Sequence, residues 1–127
     1  MLRATREWDV RCPKALVRMF PVRRGYYYKV DRTQAKRIVR ILARAYKVQP
    51  PIICASSPDR GYNGTYWTAD HRIQVHGRGH MKTVFHEFYH HLDVITRGKY
   101  NSSDRRGGPS SLAWQFADRL FDILRQS

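Results

Sequence analysis

Residues Met81–Thr96 read MKTVFHEFYHHLDVIT, and this stretch decides how the rest of the chain is interpreted. At about 100° per residue, the apolar side chains fall on one side of a helix and two histidines fall on the other. The apolar set is Met81, Val84, Phe85, Phe88, Leu92 and Ile95, and the opposite set is Thr83, His86, Glu87, His90 and Val94. We therefore expect a long central helix with one face in the core and one face free for a site.

The five residues HEFYH at positions 86–90 carry the chemistry that the sequence predicts. Histidines at positions i and i+4 of a helix project the same way, so His86 and His90 can hold one metal ion, for which zinc is the natural choice. Glu87 lies about 100° around the helix from His86, beside the metal and not on it. A carboxylate in that place can act as the general base that takes a proton from a metal-bound water.

The segment before this helix contains a second helix and a strand. Thr33–Lys47 has helical periodicity, and Asp31 or Thr33 can cap its start. Its apolar face is Ala35, Ile38, Leu42 and Ala45, and its basic face is Lys36, Arg40, Arg44 and Lys47. Two prolines end the helix, after which Ile52–Ala55 is predicted as a short buried strand. Tyr26–Val30 also has the composition of a strand.

The remaining elements are a hairpin and a last helix. A loop at Ser56–Gly64 precedes two predicted strands, Thr65–Thr68 and Arg72–His76, joined by a turn at Ala69–His71. A polar loop at 99–108 follows the central helix, and Pro109 is suited to the first turn of the last helix. The buried stripe of that helix is expected to be Leu112, Ala113, Phe116, Ala117, Leu120 and Leu124. The prediction is one α+β domain over residues 1–127, with a small sheet on the central helix and helices on either side.

The composition of the chain limits where the protein is expected to be located and which partners it is expected to bind. No apolar run is long enough to cross a bilayer, and the charged N-terminus does not resemble a signal peptide, so an intracellular, cytoplasmic protein is expected. Cys12 and Cys54 have no metal-site spacing and are interpreted as reduced core residues, although a single disulfide bridge between them remains an alternative.

The basic residues are unevenly distributed along the chain. Residues 1–49 hold fourteen Lys and Arg against three acids, whereas residues 50–127 hold ten against seven. This bias predicts either nucleic-acid binding by the basic face Lys36, Arg40, Arg44 and Lys47 or simply a solvated surface.

The order strand, hairpin, HExxH helix, loop, helix resembles the zincin metallopeptidases. The similarity is greatest to small gluzincin-like forms, including the minigluzincins and the ImmA/IrrE-type peptidases, and it extends over roughly residues 35–124. HEFYH is its one specific motif. The resemblance implies a zinc peptidase in which the strand before the motif, here Arg72–His76, forms the rim of the cleft and pairs antiparallel with a polypeptide substrate.

The sequence departs from that family at the third metal ligand. Gluzincin-like enzymes take this ligand from a glutamate near the start of the later helix, but here the region reads GGPSSLAW, with Ser110, Ser111 and Leu112 at the corresponding positions. Asp104 in the preceding loop is the best placed carboxylate, and it completes the predicted zinc site with His86 and His90. Other candidates are ranked lower: Asp118, Asp122, His71, His76, His80, His91, and Asp93, which better suits orienting a ligating imidazole.

Three functions follow from these observations. The first is a zinc-dependent metallopeptidase that hydrolyses peptide bonds with Glu87 as general base. The second is the same peptidase localised on nucleic acid by its basic first half, in the manner of SprT-like proteases. The third is a catalytically inactive zincin-like module that binds nucleic acid or protein through that basic half. The HEFYH motif on the central helix favours the first, and the absence of the family glutamate motivates the third as the alternative.

Overall fold

A computed structural model of the chain describes residues 10–20, 29–56, 64–67, 71–76, 79–97 and 112–126. In this part of the chain there are four helices and two small sheets, which is the predicted α+β class. The helices are α1 (Lys14–Met19), α2 (Arg32–Tyr46), α3 (Met81–Arg97) and α4 (Leu112–Gln126). The strands are β1 (Lys29–Val30), β2 (Ile52–Ser56), β3 (Gly64–Trp67), β4 (Arg72–His76) and β5 (Gly79–His80).

Helix α2 forms where its periodicity predicts. Asp31 is its N-cap: its carboxylate accepts a hydrogen bond from Gln34 N at 2.8 Å, and Gln34 Oε1 accepts one from Asp31 N at 2.9 Å. This capping box satisfies two backbone donors at the helix start, and Asp31 is therefore the cap in preference to Thr33. The helix ends at Lys47, which has the left-handed φ of 56° common at a helix C-terminus.

The larger sheet has the order β2-β4-β3, with β4 in the middle. β3 and β4 form the predicted hairpin, and β2 runs parallel to β4 along all five of its residues. The prediction that Arg72–His76 is a rim strand open to a substrate is therefore wrong, because both hydrogen-bonding edges of β4 are already occupied. Among the described strands, the edges of this sheet are β2 and β3.

A second, two-stranded ladder connects the starts of α2 and α3. β1 pairs antiparallel with β5, so that Lys29 lies opposite His80 and Val30 opposite Gly79. β1 leads into α2 and β5 leads directly into α3. This short ladder therefore sets where α3, with its HEFYH segment, begins relative to α2.

Helix α3 lies at the centre of the fold, as predicted, and packs against α2, α4 and both sheets. Every side chain from Thr83 to Val94 is buried, however, including the histidine-bearing side. The expectation of a free face is thus wrong. A helical wheel separates polar from apolar sides, but neighbouring elements decide which sides are covered.

Several further expectations can be compared with the structure. The predicted stripe of α4 is buried except for half-buried Leu112, and Phe121 joins it. β2 is only partly buried, since Ile53 is 7% exposed but Ile52 is 59% exposed. Cys12 and Cys54 are both free thiols. The 99–108 loop and Pro109 lie outside the described residues.

None of the helices in the described part of the chain combines the length and the apolarity that crossing a bilayer requires.

Candidate metal centre

The centre is built on one turn of α3, and the helix brings its two histidines together as the spacing predicts. The Nε2 atoms of His86 and His90 lie 3.2 Å apart. Their ring centroids are 4.7 Å apart with the planes nearly perpendicular, at 88°. Both imidazoles thus direct the same nitrogen at one point beside the helix.

Glu87 completes the cluster. Its Oε2 lies 3.9 Å from His86 Nε2, and one ligand atom from each of the three residues falls within 4.8 Å of the others. All three side chains are largely withdrawn from solvent, with exposed fractions of 9% for His86 and 6% for both Glu87 and His90. Among the described residues, this is the one group of three or more such side chains that could hold a metal ion.

The distance between the two nitrogens matches what a tetrahedral zinc ion requires. Zinc–nitrogen bonds are about 2.0–2.1 Å, so two ligands of a tetrahedron lie about 3.3 Å apart. The observed separation of 3.2 Å is within about 0.1 Å of that value. Two imidazole nitrogens with a nearby carboxylate oxygen also form a donor set that suits zinc. The geometry of the residues present is therefore compatible with a zinc ion.

Burial keeps both histidines in the neutral form, which is the form that can bind a cation. Desolvation lowers the pKa of His86 to about 3, with a further contribution from the neighbouring His90, and it lowers the pKa of His90 to about 4. Both rings are consequently neutral at pH 7 and have a lone pair to offer, whereas a protonated imidazole could not bind a metal.

The same burial has the opposite effect on the pKa of the Glu87 carboxyl group. Desolvation raises the pKa of Glu87 to about 8, so that without a cation this group is mostly protonated at pH 7. A positive charge placed among the three residues would favour the ionised form and lower the pKa again.

Helix α4 covers the centre with an aromatic ring. The indole of Trp114 lies against His86, with ring centroids 4.2 Å apart and an angle of 32° between the planes. Tyr89 lies between His90 and Phe116 of α4, at centroid distances of 6.3 and 5.4 Å. The packing of α3 on α4 therefore holds the His86 ring in place.

Trp114 was not among the site residues predicted from the sequence. This residue lies off the predicted apolar stripe of α4, and it is half-buried. The sequence feature that could have pointed to it is a large aromatic side chain outside the apolar stripe, because such a side chain often contacts a neighbouring helix or strand outside the core. The partner of that contact could not be read from the sequence.

His91 belongs to a different environment. It is fully buried, and its Nε2 donates a hydrogen bond of 2.6 Å to the carbonyl oxygen of Gln49. Burial lowers its pKa to about 4, although the bond to Gln49 acts the other way. The exposed His71, whose backbone has a φ of 51°, lies with its ring 5.8 Å from that of His91. Neither histidine joins the cluster, in agreement with their low ranking.

The three described carboxylates considered as further ligands, Asp93, Asp118 and Asp122, are not part of the cluster. Asp118 and Asp122 are exposed and form ion pairs with Lys82 and Arg125, at 3.2 and 2.9 Å. Asp93 is fully buried but is not part of the metal-binding group. Asp104, Ser110, Ser111 and the side chains of His76 and His80 lie outside the described residues, so the choice of Asp104 stays a prediction.

Comparison with known proteins adds no family assignment. No protein family, curated protein or solved structure matches the chain significantly.

Proposed function

We propose that the protein is a zinc-dependent peptidase with a zincin-like fold. The observation that carries the proposal is the 3.2 Å separation of two buried, neutral imidazole nitrogens with a carboxylate 3.9 Å away. Burying three ionisable groups costs stability, and a folded protein retains such a group most readily where it serves binding or catalysis. The architecture supports the same proposal, since a helix bearing this triad packs against a small sheet and a following helix.

Each residue has a distinct role in the proposed reaction. His86 and His90 would hold the zinc ion through their Nε2 atoms. The ion, when bound, supplies a Lewis acid that polarises the scissile carbonyl and makes water a stronger nucleophile at neutral pH. Glu87 Oε2 accepts a proton from the attacking water and then delivers it to the nitrogen of the leaving amine.

The substrate would bind to β3 and not to β4. Of the two strands in the hairpin, β3 is the one at an edge of the sheet in the described part of the chain. It also lies against α3, which carries the candidate centre. An extended peptide that paired with Gly64–Trp67 would enlarge the sheet by one strand and be held by backbone hydrogen bonds, with little dependence on its sequence.

The test combines metal content with hydrolysis. Purified protein is dialysed against zinc, freed of excess metal and analysed for bound zinc, and hydrolysis of an unfolded protein substrate is followed in parallel. We expect about one zinc per chain, loss of bound zinc in His86→Ala, and retention of zinc without hydrolysis in Glu87→Gln. Asp122→Asn is the matched control, because this exposed acid pairs with Arg125 on α4, is not part of the cluster and should change neither readout.

Wild-type protein that takes up no zinc would refute the proposal outright. A second candidate, a zinc-binding scaffold without peptidase activity, is favoured by one observation. Trp114 packs against His86 and leaves the histidines little exposed, so a substrate would need space that this packing occupies. The two candidates differ in one outcome: the scaffold binds zinc but hydrolyses nothing, and Glu87→Gln then has no activity to remove.

A further inference from the structure

We infer that the solvent-facing side of α2 binds the phosphate backbone of nucleic acid. The basic face is defined here as Lys36, Arg40, Arg44 and Lys47. This inference concerns a surface built on α2 and does not depend on the peptidase proposal, which concerns α3.

The composition of α2 is the first argument. The helix contains five cationic residues and no acid, and Lys47 follows at its C-terminus. Its exposed positions are Arg32, Thr33, Lys36, Arg37, Arg40 and Arg44. The surface that this helix presents to solvent is thus almost entirely cationic and includes no exposed apolar side chain.

The second argument is that these charges are not neutralised within the protein. Across the described residues, no carboxylate forms an ion pair with any member of the basic face. Helix α4 behaves differently: Asp118 pairs with Lys82 at 3.2 Å, and Asp122 pairs with Arg125 at 2.9 Å. The difference arises because α4 carries two acids and α2 carries none, so within the described part of the chain the basic face keeps its full positive charge.

Geometry makes the basic face suitable for a regular row of anions. Its members recur about once per turn, and the eleven steps from Lys36 to Lys47 span about 16 Å at about 1.5 Å per residue. One strand of a nucleic acid has a phosphate for about every 3.4 Å of axis, so this length faces about five phosphates. The capping box and the buried opposite side hold the helix in shape before any partner binds.

The surroundings of the face favour backbone contacts over base recognition. A groove of about 270 Å³ lies between α2 and the start of β2, with Lys36 and Arg40 on one wall and Pro50, Pro51 and Ile52 on the other. Its lining includes no aromatic ring on which a base could stack. We therefore expect binding that depends strongly on salt and weakly on sequence.

An acidic protein is the alternative partner, and the structure favours it less. Stable protein interfaces are organised around buried apolar or aromatic anchors surrounded by a polar rim. The exposed positions of α2 offer no such anchor, and the exposed Ile52 lies beside the face and not within it.

The test is fluorescence anisotropy with a labelled DNA duplex of about 20 bp over a salt series. Four phosphate contacts predict a slope of about −3.6 in a plot of log K against log salt, which is about 150-fold weaker binding at 200 mM than at 50 mM. The double variant Arg40→Gln/Arg44→Gln should reduce the slope by about 1.8. The matched control is Arg119→Gln/Arg125→Gln, which removes two exposed cations from α4 and should leave the slope unchanged.

Three results would overturn the inference. The first is no binding at 50 mM salt, and the second is an equal loss in both double variants, which would indicate an effect of net charge and not of α2. The third is equally tight binding of polyglutamate at the same charge concentration, which would indicate a general anion surface or an acidic protein partner. All the substituted side chains are exposed, so the variants should fold, and circular dichroism checks this.

Discussion

Replacing Glu87 by Gln should make the metal-free protein more stable while removing the proposed activity. The side chain is 6% exposed and has a strongly raised pKa, so its ionised form is disfavoured in the folded state. Gln has nearly the same shape and never ionises. A buried carboxyl group that weakens the fold at neutral pH is characteristic of functional sites, where stability is given up for binding or catalysis.

The size of the effect follows from the two pKa values. Burial raises the pKa of Glu87 from 4.5 to about 8. The neutral form is the one favoured by folding, so its contribution to stability is complete below pH 4.5 and is lost as the pH rises through 8. At about 1.4 kcal/mol per pH unit, the wild type has lost about 3 kcal/mol by pH 7. Glu87→Gln avoids this loss, which corresponds to a rise in Tm of roughly 10 °C.

The assay is denaturant unfolding of wild type and Glu87→Gln at several pH values in the presence of a chelator. The difference in the free energy of unfolding should be close to zero near pH 4.5, about 3 kcal/mol at pH 7 and larger at pH 8. Histidine titration affects both proteins alike and cancels in the difference. The control Asp122→Asn, at an exposed ion pair, should change stability by less than about 1 kcal/mol at every pH.

Zinc provides an additional check on the same variant. A cation at the cluster would stabilise the Glu87 carboxylate, so added zinc should reduce the stability difference at pH 7. Equal stability of wild type and Glu87→Gln from pH 5 to pH 8 would refute the reasoning. It would show that Glu87 is solvated in the folded protein and that the buried cluster is not the arrangement in solution.

Three further outcomes are expected. In the Glu87→Gln background the metal-free protein should lose stability as the pH falls from 6.5 towards 4, because burial keeps His86, His90 and His91 neutral; chemical denaturation at pH 7 and pH 5 measures this, and a pH-independent result would contradict it. Asp31→Ala should cost about 1 kcal/mol through loss of the capping box, whereas Thr33→Ala should cost clearly less, as judged by thermal unfolding. Trp114→Ala should weaken zinc binding by about tenfold in a chelator competition because it frees the ligating ring on which the indole packs, while the half-exposed Ile123→Ala on the same helix should leave zinc affinity unchanged.

Local sequence patterns were sufficient to predict where α2 and α3 begin and end. The bounds predicted for α2 and α3 differ from the observed ones by a residue at most, because helical periodicity and capping are properties of neighbouring residues. α1 was not predicted, since its six residues are too few for periodicity to be recognised. The sequence also could not show that β4 lies between two strands. An edge strand and a central strand differ in how many neighbours their backbones pair with, and the alternation of side chains along the strand does not reveal this number.

The sequence by itself determined that His86 and His90 point the same way with Glu87 beside them, because the spacing of residues around a helix is the same wherever the helix lies. Only the tertiary structure decided that α3 is covered on every side and that Trp114 packs against His86. That covering removes water from the cluster, and desolvation then makes the histidines neutral and the pKa of Glu87 high. The local sequence thus determines which candidate ligands lie side by side, whereas their protonation states depend on the residues that pack around them.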